Sequence, residues 1–225
     1  MDVAFYLGKL AIHWYGILIA LAVIAAIGIA IIEAKKRGQH SEQVFNLALI
    51  VIPLGIIGGA IGLIIYTRWK KLGTLRWLDI TAPGLLLAQA IGRWGNFFNQ
   101  ELYGYPTSLP WAIYIDPNHR LPNYLAFSHF HPLFLYEFLW NLIGFFILII
   151  LGRKFQNRLM DGEIFLLYVI YYSVGRFFLE GLKIDVWTIA GVPTARWICG
   201  IAIIASIAVI VYRRYRIHHT VSNAQ

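Results

Sequence analysis

Residues 82–104 read Ala82-Pro83-Gly84-Leu85-Leu86-Leu87-Ala88-Gln89-Ala90-Ile91-Gly92-Arg93-Trp94-Gly95-Asn96-Phe97-Phe98-Asn99-Gln100-Glu101-Leu102-Tyr103-Gly104. The run Ala82–Ile91 is apolar. Residues 92–104 then put a fixed charge, two Asn, a Gln and a Glu where a membrane-spanning helix is still in or near lipid. Such groups are expensive at that depth and face a cavity, a partner or a substrate. At a helical period, Gln89, Arg93, Asn96 and Gln100 recur at i, i+4, i+7 and i+11, which draws one polar stripe on a greasy helix. The stripe is the first candidate wall of an active site.

The rest of the chain agrees with a membrane setting. Of its 225 residues, 59% are hydrophobic and 13% charged, against about 25% charged in soluble domains. The mean hydropathy is +0.65. These values predict an all-α fold, a polytopic integral membrane helical bundle. The net charge of +8 follows from membrane topology, which gathers basic residues on one side, and predicts no nucleic-acid partner. Cys199 is the single cysteine, so an intrachain disulfide is excluded. The N-terminus carries Asp2 and no basic region, and the apolar run after it is too long for a signal-peptide core. It reads as a retained first span.

Apolar runs near the spanning length of about 20 residues occur at Leu10–Ile32, Val44–Tyr66, Leu78–Phe98, Pro132–Leu151, Glu163–Leu182 and Thr194–Tyr212. The expectation is a single transmembrane domain over residues 1–225 with six apparent spans. The polar connection 99–131 contains Pro106, Pro110, Pro117 and Pro122 with Trp111, Tyr114 and Tyr124. It reads as an ordered aromatic loop at an interface.

Thirteen of the nineteen Lys and Arg residues fall into four clusters: Lys35 to Arg37, Arg68 to Arg76, Arg153 to Arg158, and Arg213 to Arg216. The positive-inside rule places all four in the cytoplasm. The loop 99–131, the turn around Lys183–Trp187 and the N-terminus then lie outside, and the C-terminus lies inside. One step conflicts. Both ends of Val44–Tyr66 belong inside, yet that run is long enough to cross only once. The glycines at its centre, Gly55, Gly58, Gly59 and Gly62, read either as small-residue helix packing or as the place where a segment is missing.

A second polar face lies on the fifth span, where Tyr172, Arg176, Glu180 and Lys183 recur at i, i+4, i+8 and i+11. Arg176 and Glu180 suit an i, i+4 ion pair. Two buried-looking Arg forks at the outer depth also suit a phosphate, and a lipid head group is the phosphate found there. His13 and Tyr15 sit at the same depth on the first span. Glu137, one to two turns into the fourth span, calls for a partner, and Asn141 is placed to bond it. His119, His129 and His131 lack a compact ligand spacing, so no metal is expected. No phosphate-cradling Gly loop precedes a helix, so no nucleotide or other cofactor is expected. Cys199, among Ile, Ala and Gly, reads as an inert buried thiol.

The stretch Gly92–Gly104 resembles the signature of the bacterial prolipoprotein diacylglyceryl transferases. Ile12-His13-Trp14-Tyr15-Gly16, His131-Pro132 with Leu135-Tyr136-Glu137, and Gly175-Arg176-Phe177-Phe178-Leu179-Glu180-Gly181-Leu182 resemble other family motifs in the same order. The resemblance implies seven spans, with an outer arm and a His-Gly-Gly motif between the second and third. Here that piece is absent near Gly58–Gly59, where charge parity also fails. Leu133-Phe134 and Lys183 depart from a small hydroxyl residue and an Arg. The family transfers a diacylglyceryl group from phosphatidylglycerol to the lipobox cysteine of a prelipoprotein signal peptide, forming a thioether and releasing glycerol phosphate.

The resemblance thus implies phosphatidylglycerol, the prelipoprotein and membrane lipid as partners, and the bacterial plasma (inner) membrane as the location. Arg93, Arg176 and Tyr15 are the expected catalytic residues. Arg93, Asn96, Asn99, Glu101, Gly104, His13, Tyr172 and Glu180 are the expected substrate-binding residues. The family's candidate base is the absent histidine, with His13, Tyr15 and Glu101 as substitutes by location. A non-catalytic lipid-binding or transport protein is the alternative, favoured by broken helices with mid-membrane stripes; here both stripes lie toward one side.

Overall fold

The computed structural model describes residues 3–7, 10–39, 44, 61–184 and 186–222. A short hairpin, β1 (Val3–Leu7) and β2 (Leu10–His13), opens the chain and leads into α1 (Trp14–Lys36). Residues 61–69 are helical (α2). Then follow α3 (Thr74–Phe98), the hairpin of β3 (Ile113–Tyr114) and β4 (His129–Phe130), α4 (Leu133–Lys154) and α5 (Glu163–Leu179). A last hairpin, β5 (Thr188–Ile189) and β6 (Val192–Pro193), precedes α6 (Thr194–Ser222). Among the described residues, four helical stretches are long and apolar enough to cross a membrane: Gly16–Lys36, Leu133–Lys154, Glu163–Leu182 and Thr194–Ile217. At 25 residues α3 has the length as well, but its polar stripe and Asp79 lower its hydropathy. The protein is a polytopic membrane helical bundle with three small hairpins.

Each helix join has a local cause. Past Lys36 the chain turns at Gly38, whose φ of +66° suits glycine. Gln39 N donates to Ala34 O at 2.8 Å and Gly38 N to Lys35 O at 3.1 Å, the paired bonds that close a helix C-terminus. Where α1 crosses α3, a Cβ on Gly84 would lie 2.9 Å from Ala26 O, so only glycine permits that approach. Between α3, α4 and α5, Ala82, Leu86, Phe145, Leu148, Ile149 and Ile164 form a buried cluster. On α6, Ile201 and Ile204 are 66% and 71% exposed, a surface suited to lipid.

The four basic clusters meet at one end of the bundle, as charge patterning predicts. Arg76 Nη2 donates to Arg37 O at 2.7 Å, and Arg153 Nη2 lies 2.8 Å from Glu33 Oε1. Arg214 grips Glu163 through two 2.7 Å bonds, and Arg213 donates to Asp161 O at 2.9 Å. Asp79 of α3 accepts from Gly162 N at 2.7 Å and Phe165 N at 2.9 Å, so it caps α5 from another helix. Arg37 stands 3.6 Å from the same carboxylate. The opposite end carries the hairpins and the loop 99–131, which has its own buried centre of Tyr103, Ile115 and Phe130.

Two expectations change, and a third is not reached. Leu10–His13 is strand, not the start of the first span, because it pairs with Val3–Leu7 and the helix begins at Trp14. Gln100 leaves the stripe. It adopts φ +50° beyond the end of α3, and its side chain turns to Asp116, donating to Oδ2 at 2.8 Å and accepting from the backbone N at 2.7 Å. The Gly-rich join expected near Gly58–Gly59 lies outside the described residues.

Candidate active site

Glu137, in the second turn of α4, is the centre of the site. Arg93 Nε lies 2.7 Å from Glu137 Oε2. Arg176 Nη1 lies 3.4 Å, and Lys183 Nζ 3.5 Å, from Glu137 Oε1. Arg176 Nη2 also lies 2.9 Å from Glu180 Oε2, with Lys183 at 4.0 Å. That oxygen is buried without an aligned hydrogen bond, so charge rather than directed bonding holds it. The expected i, i+4 pair of Arg176 and Glu180 is therefore present, but within a larger network. Side-chain exposure runs from 6% to 26% across these five residues. Three cations meet two carboxylates, which leaves one positive charge over in a largely desolvated place.

Both expected stripes reach this point. Arg93 comes from α3, Glu137 from α4, and Arg176, Glu180 and Lys183 from the outer end of α5 and the turn after it. Tyr172 and Arg176 join Arg93, Glu137, Trp140, Asn141, Gly175 and Leu179 around a narrow cleft with about 10 Å³ of free space. Outward from the cleft a hydrogen-bonded relay continues. Arg93 Nη1 donates to Asn96 Oδ1 at 3.4 Å, and Asn96 and Asn99 donate to Glu101 Oε1 at 3.0 and 3.2 Å. Asn96 and Glu101 also border a second hollow of about 190 Å³ under the outer loop, with Tyr103, Tyr114 and Phe134 on its wall. Gln100 and Leu102, at φ +50° and +54°, bracket Glu101. Left-handed backbone at two non-glycine residues collects at functional positions.

Gly104 sits where three segments cross. Its N donates to His131 O at 3.0 Å, and it bridges to Lys183. A Cβ there would meet Leu182 O at 2.7 Å and His131 Cβ at 2.8 Å. The position packs the outer loop against the turn that carries Lys183. His13 ends β2 and Tyr15 lies in the first turn of α1; their side chains lie outside the described set. Their backbone reaches the outer end because Trp14 stacks on Phe98 with ring centroids 5.6 Å apart.

Lys183 belongs at the centre with the rest of the fifth-span face, and so does Glu137, although residue type and spacing alone do not place Glu137 there. The signal was a carboxylate inside a span, whose partner only the packing of three helices supplies. The expected Glu137–Asn141 bond is not formed: Glu137 turns outward to the cations, and Asn141 bonds to none of the described residues. Among the described residues no group of three or more His, Cys, Asp and Glu stands ready to hold a metal.

Comparison with known proteins places this arrangement. The family model described as prolipoprotein diacylglyceryl transferase matches residues 2–66 and 55–212. A protein of Ligilactobacillus salivarius is 35% identical over 251 aligned positions, covering 95% of this chain and 93% of its own length. One of Streptococcus equi subsp. zooepidemicus is 33% identical over 258 positions, covering 95% of each. A third, from Chloroflexus aggregans, is 38% identical over 225 positions, covering 78% of this chain and 74% of itself. All three bear the name phosphatidylglycerol–prolipoprotein diacylglyceryl transferase. Two of these alignments are longer than the 225-residue chain, so the relatives carry internal residues that it lacks. The family match breaks in two within residues 55–66, at the place where charge parity failed. The chain belongs to the prolipoprotein diacylglyceryl transferase family.

Proposed function

We propose that this protein transfers the diacylglyceryl group of phosphatidylglycerol to the cysteine thiol of a prolipoprotein. It does so in the bacterial plasma membrane, with its N-terminus and the loop 99–131 outside and its C-terminus in the cytoplasm. The observation that carries the reading is the surplus positive charge of the Arg93–Glu137–Arg176–Glu180–Lys183 network beside a cleft. An uncompensated buried charge is costly, and the single negative charge of a phosphodiester balances it. The Arg forks suit phosphate oxygens.

The chemistry follows the charge. The sulfur forms a bond to the glyceryl carbon next to the phosphate while the carbon–oxygen bond breaks. Glycerol phosphate leaves with that electron pair, and its charge grows from one negative to nearly two. Arg93, Arg176 and Lys183 are thus better matched to the transition state than to the bound lipid, which is how they accelerate the step. Glu137 holds the three cations in place. The thiol must lose its proton to become a nucleophile. The family's candidate base lies in the absent segment; in the chain as written Glu101, fixed by Asn96 and Asn99 and in no ion pair among the described residues, is the substitute proton acceptor, a weaker one in this proposal. Tyr172 borders the lipid in the cleft, and Tyr15 and His13 remain a catalytic and a binding candidate by their place in the sequence.

The test is transfer of label from phosphatidylglycerol to a lipobox peptide in detergent. It is run on the chain as written and on a chain given the intervening segment of the Ligilactobacillus relative at Gly58–Gly59. The expected result is thioether product in the completed chain, lost on Arg93→Lys. Absence of product in both, together with lipid binding indifferent to Arg93, overturns the proposal.

A further inference from the structure

One polar side chain in the cleft has no use in the transfer chemistry. Asn141 is 3% exposed and lines the cleft beside Arg93, Glu137 and Arg176. Its amide bonds to none of the described residues, yet it is not among the sealed polar groups without a partner. It therefore opens on the cleft itself. Once lipid fills the cleft and excludes water, an amide left unpaired there costs about 1–3 kcal/mol, and its neighbours do not relieve it. The adjacent Trp140 Nε1 already donates to Tyr171 O at 3.1 Å, and Tyr171 OH to Trp140 O at 2.8 Å.

We infer that Asn141 binds the diacylglyceryl part of the lipid, its amide N–H donating to a fatty-acyl ester carbonyl. The inference rests on the reading of the cleft as a phosphatidylglycerol site. α4 runs inward from Leu133, so Asn141 lies four residues, or about 6 Å, deeper than Glu137. Inward from a phospholipid phosphate come the glycerol carbons and then the ester carbonyls; the head-group hydroxyls lie outward. A carbonyl only accepts, which matches an N–H donor. Leu179 and the rings of Trp140 and Tyr172 also border the cleft, and they give the first methylenes of the chains an apolar wall. A donor at that depth also fixes the register of the lipid, so that the glyceryl carbon stays beside the phosphate held by Arg93 and Arg176. The site then recognises ester-linked lipid and discriminates against the ether-linked analogue.

The probe is dioleoyl phosphatidylglycerol against its dialkyl-ether counterpart, with binding to the purified full chain in detergent followed by native mass spectrometry. The unaltered chain is expected to hold the ester lipid about 10-fold more tightly, the worth of one hydrogen bond. Asn141→Leu is expected to bind the two equally, and Arg93→Leu to weaken both alike. Should Asn141→Leu not fold, Asn141→Asp removes the donor without removing polarity and is expected to lose the same preference. Equal binding of ester and ether by the unaltered chain, or a preference that survives loss of the amide, overturns the inference. If Arg93→Leu also leaves binding unchanged, the head-group reading falls with it; if Arg93→Leu weakens both lipids, that reading stands alone.

Discussion

Arg93 shows how one side chain decides the chemistry. Its Nε is committed to Glu137 at 2.7 Å and its Nη1 reaches Asn96, so the rest of the fork is left to face a ligand. A lysine has its three donors on a single nitrogen, which cannot span both contacts and also present a planar fork. In the chain completed with the relative's segment, Arg93→Lys is expected to lower transfer from labelled phosphatidylglycerol by about 100-fold or more, the usual cost of a transition-state contact. Activity within threefold of the parent would count against the phosphate role. Glu137→Gln changes the network from one surplus positive charge to two and leaves three cations without their common partner. Removing one member of a buried ion cluster costs about 3 kcal/mol or more, so thermal unfolding in detergent is expected to move down clearly. An unchanged melting temperature would mean that Glu137 is not the hub. Gly104 belongs at the same scale. It was legible as a member of the signature, but that it serves as a crossing point for backbone came only from the fold.

Between elements, α4 and α5 hold each other by a reciprocal fit. Trp140 of α4 lies over Gly175 of α5, and Tyr171 of α5 lies over Gly144 of α4; neither glycine has room for a Cβ. The two rings stack at 4.7 Å and exchange hydrogen bonds with each other's backbone carbonyl. Gly144 and Gly175 are each four residues from the ring on their own helix, so the contact is one turn of each helix locked into the other. Arg176 follows Gly175 directly, so this lock sets its distance to Glu137. Gly175→Val is expected to cost about 1–3 kcal/mol through overpacking and to reduce transfer along with stability. Trp140→Ala in the same background should restore part of both if the clash is the cause; no recovery would argue against the lock. Sequence periodicity found the two polar faces, because a 3.6-residue repeat is a local property. It did not find Trp140–Gly175, because which glycine meets which ring depends on the angle at which two helices cross.

For the whole molecule, the distribution of charge is the strongest constraint. Basic residues at one end of the bundle pair with Glu33, Asp79 and Glu163, while the surplus positive charge of the site sits at the other. α1 and α3 both have their basic ends at the first of these, so an even number of crossings must join them. The relatives carry internal residues that this chain lacks, and the family match breaks within residues 55–66. The expectation is that the chain as written fails to restore lipoprotein processing in cells depleted of their own enzyme. Insertion of the relative's segment at Gly58–Gly59 should raise activity by about 100-fold, the scale of a general base. Full rescue by the chain as written would show the segment to be dispensable and the absent histidine not to be the base.

Amino-acid order by itself determined the membrane class, the places of the long helices apart from their ends, the gathering of basic residues at one end and the two polar stripes. All of these follow from composition and from repeats within one segment. The hairpin at Leu10–His13 was not legible, since an apolar run reads alike as strand or helix until a partner strand is present. The departure of Gln100 from its stripe was decided by Asp116, sixteen residues away in a loop. Glu137 as the common partner of Arg93, Arg176 and Lys183, and Asn141 left without one, were settled by tertiary structure alone. Ion pairs and vacant donors depend on distances between segments that have no fixed relation in sequence, and those distances exist only once α3, α4 and α5 have packed.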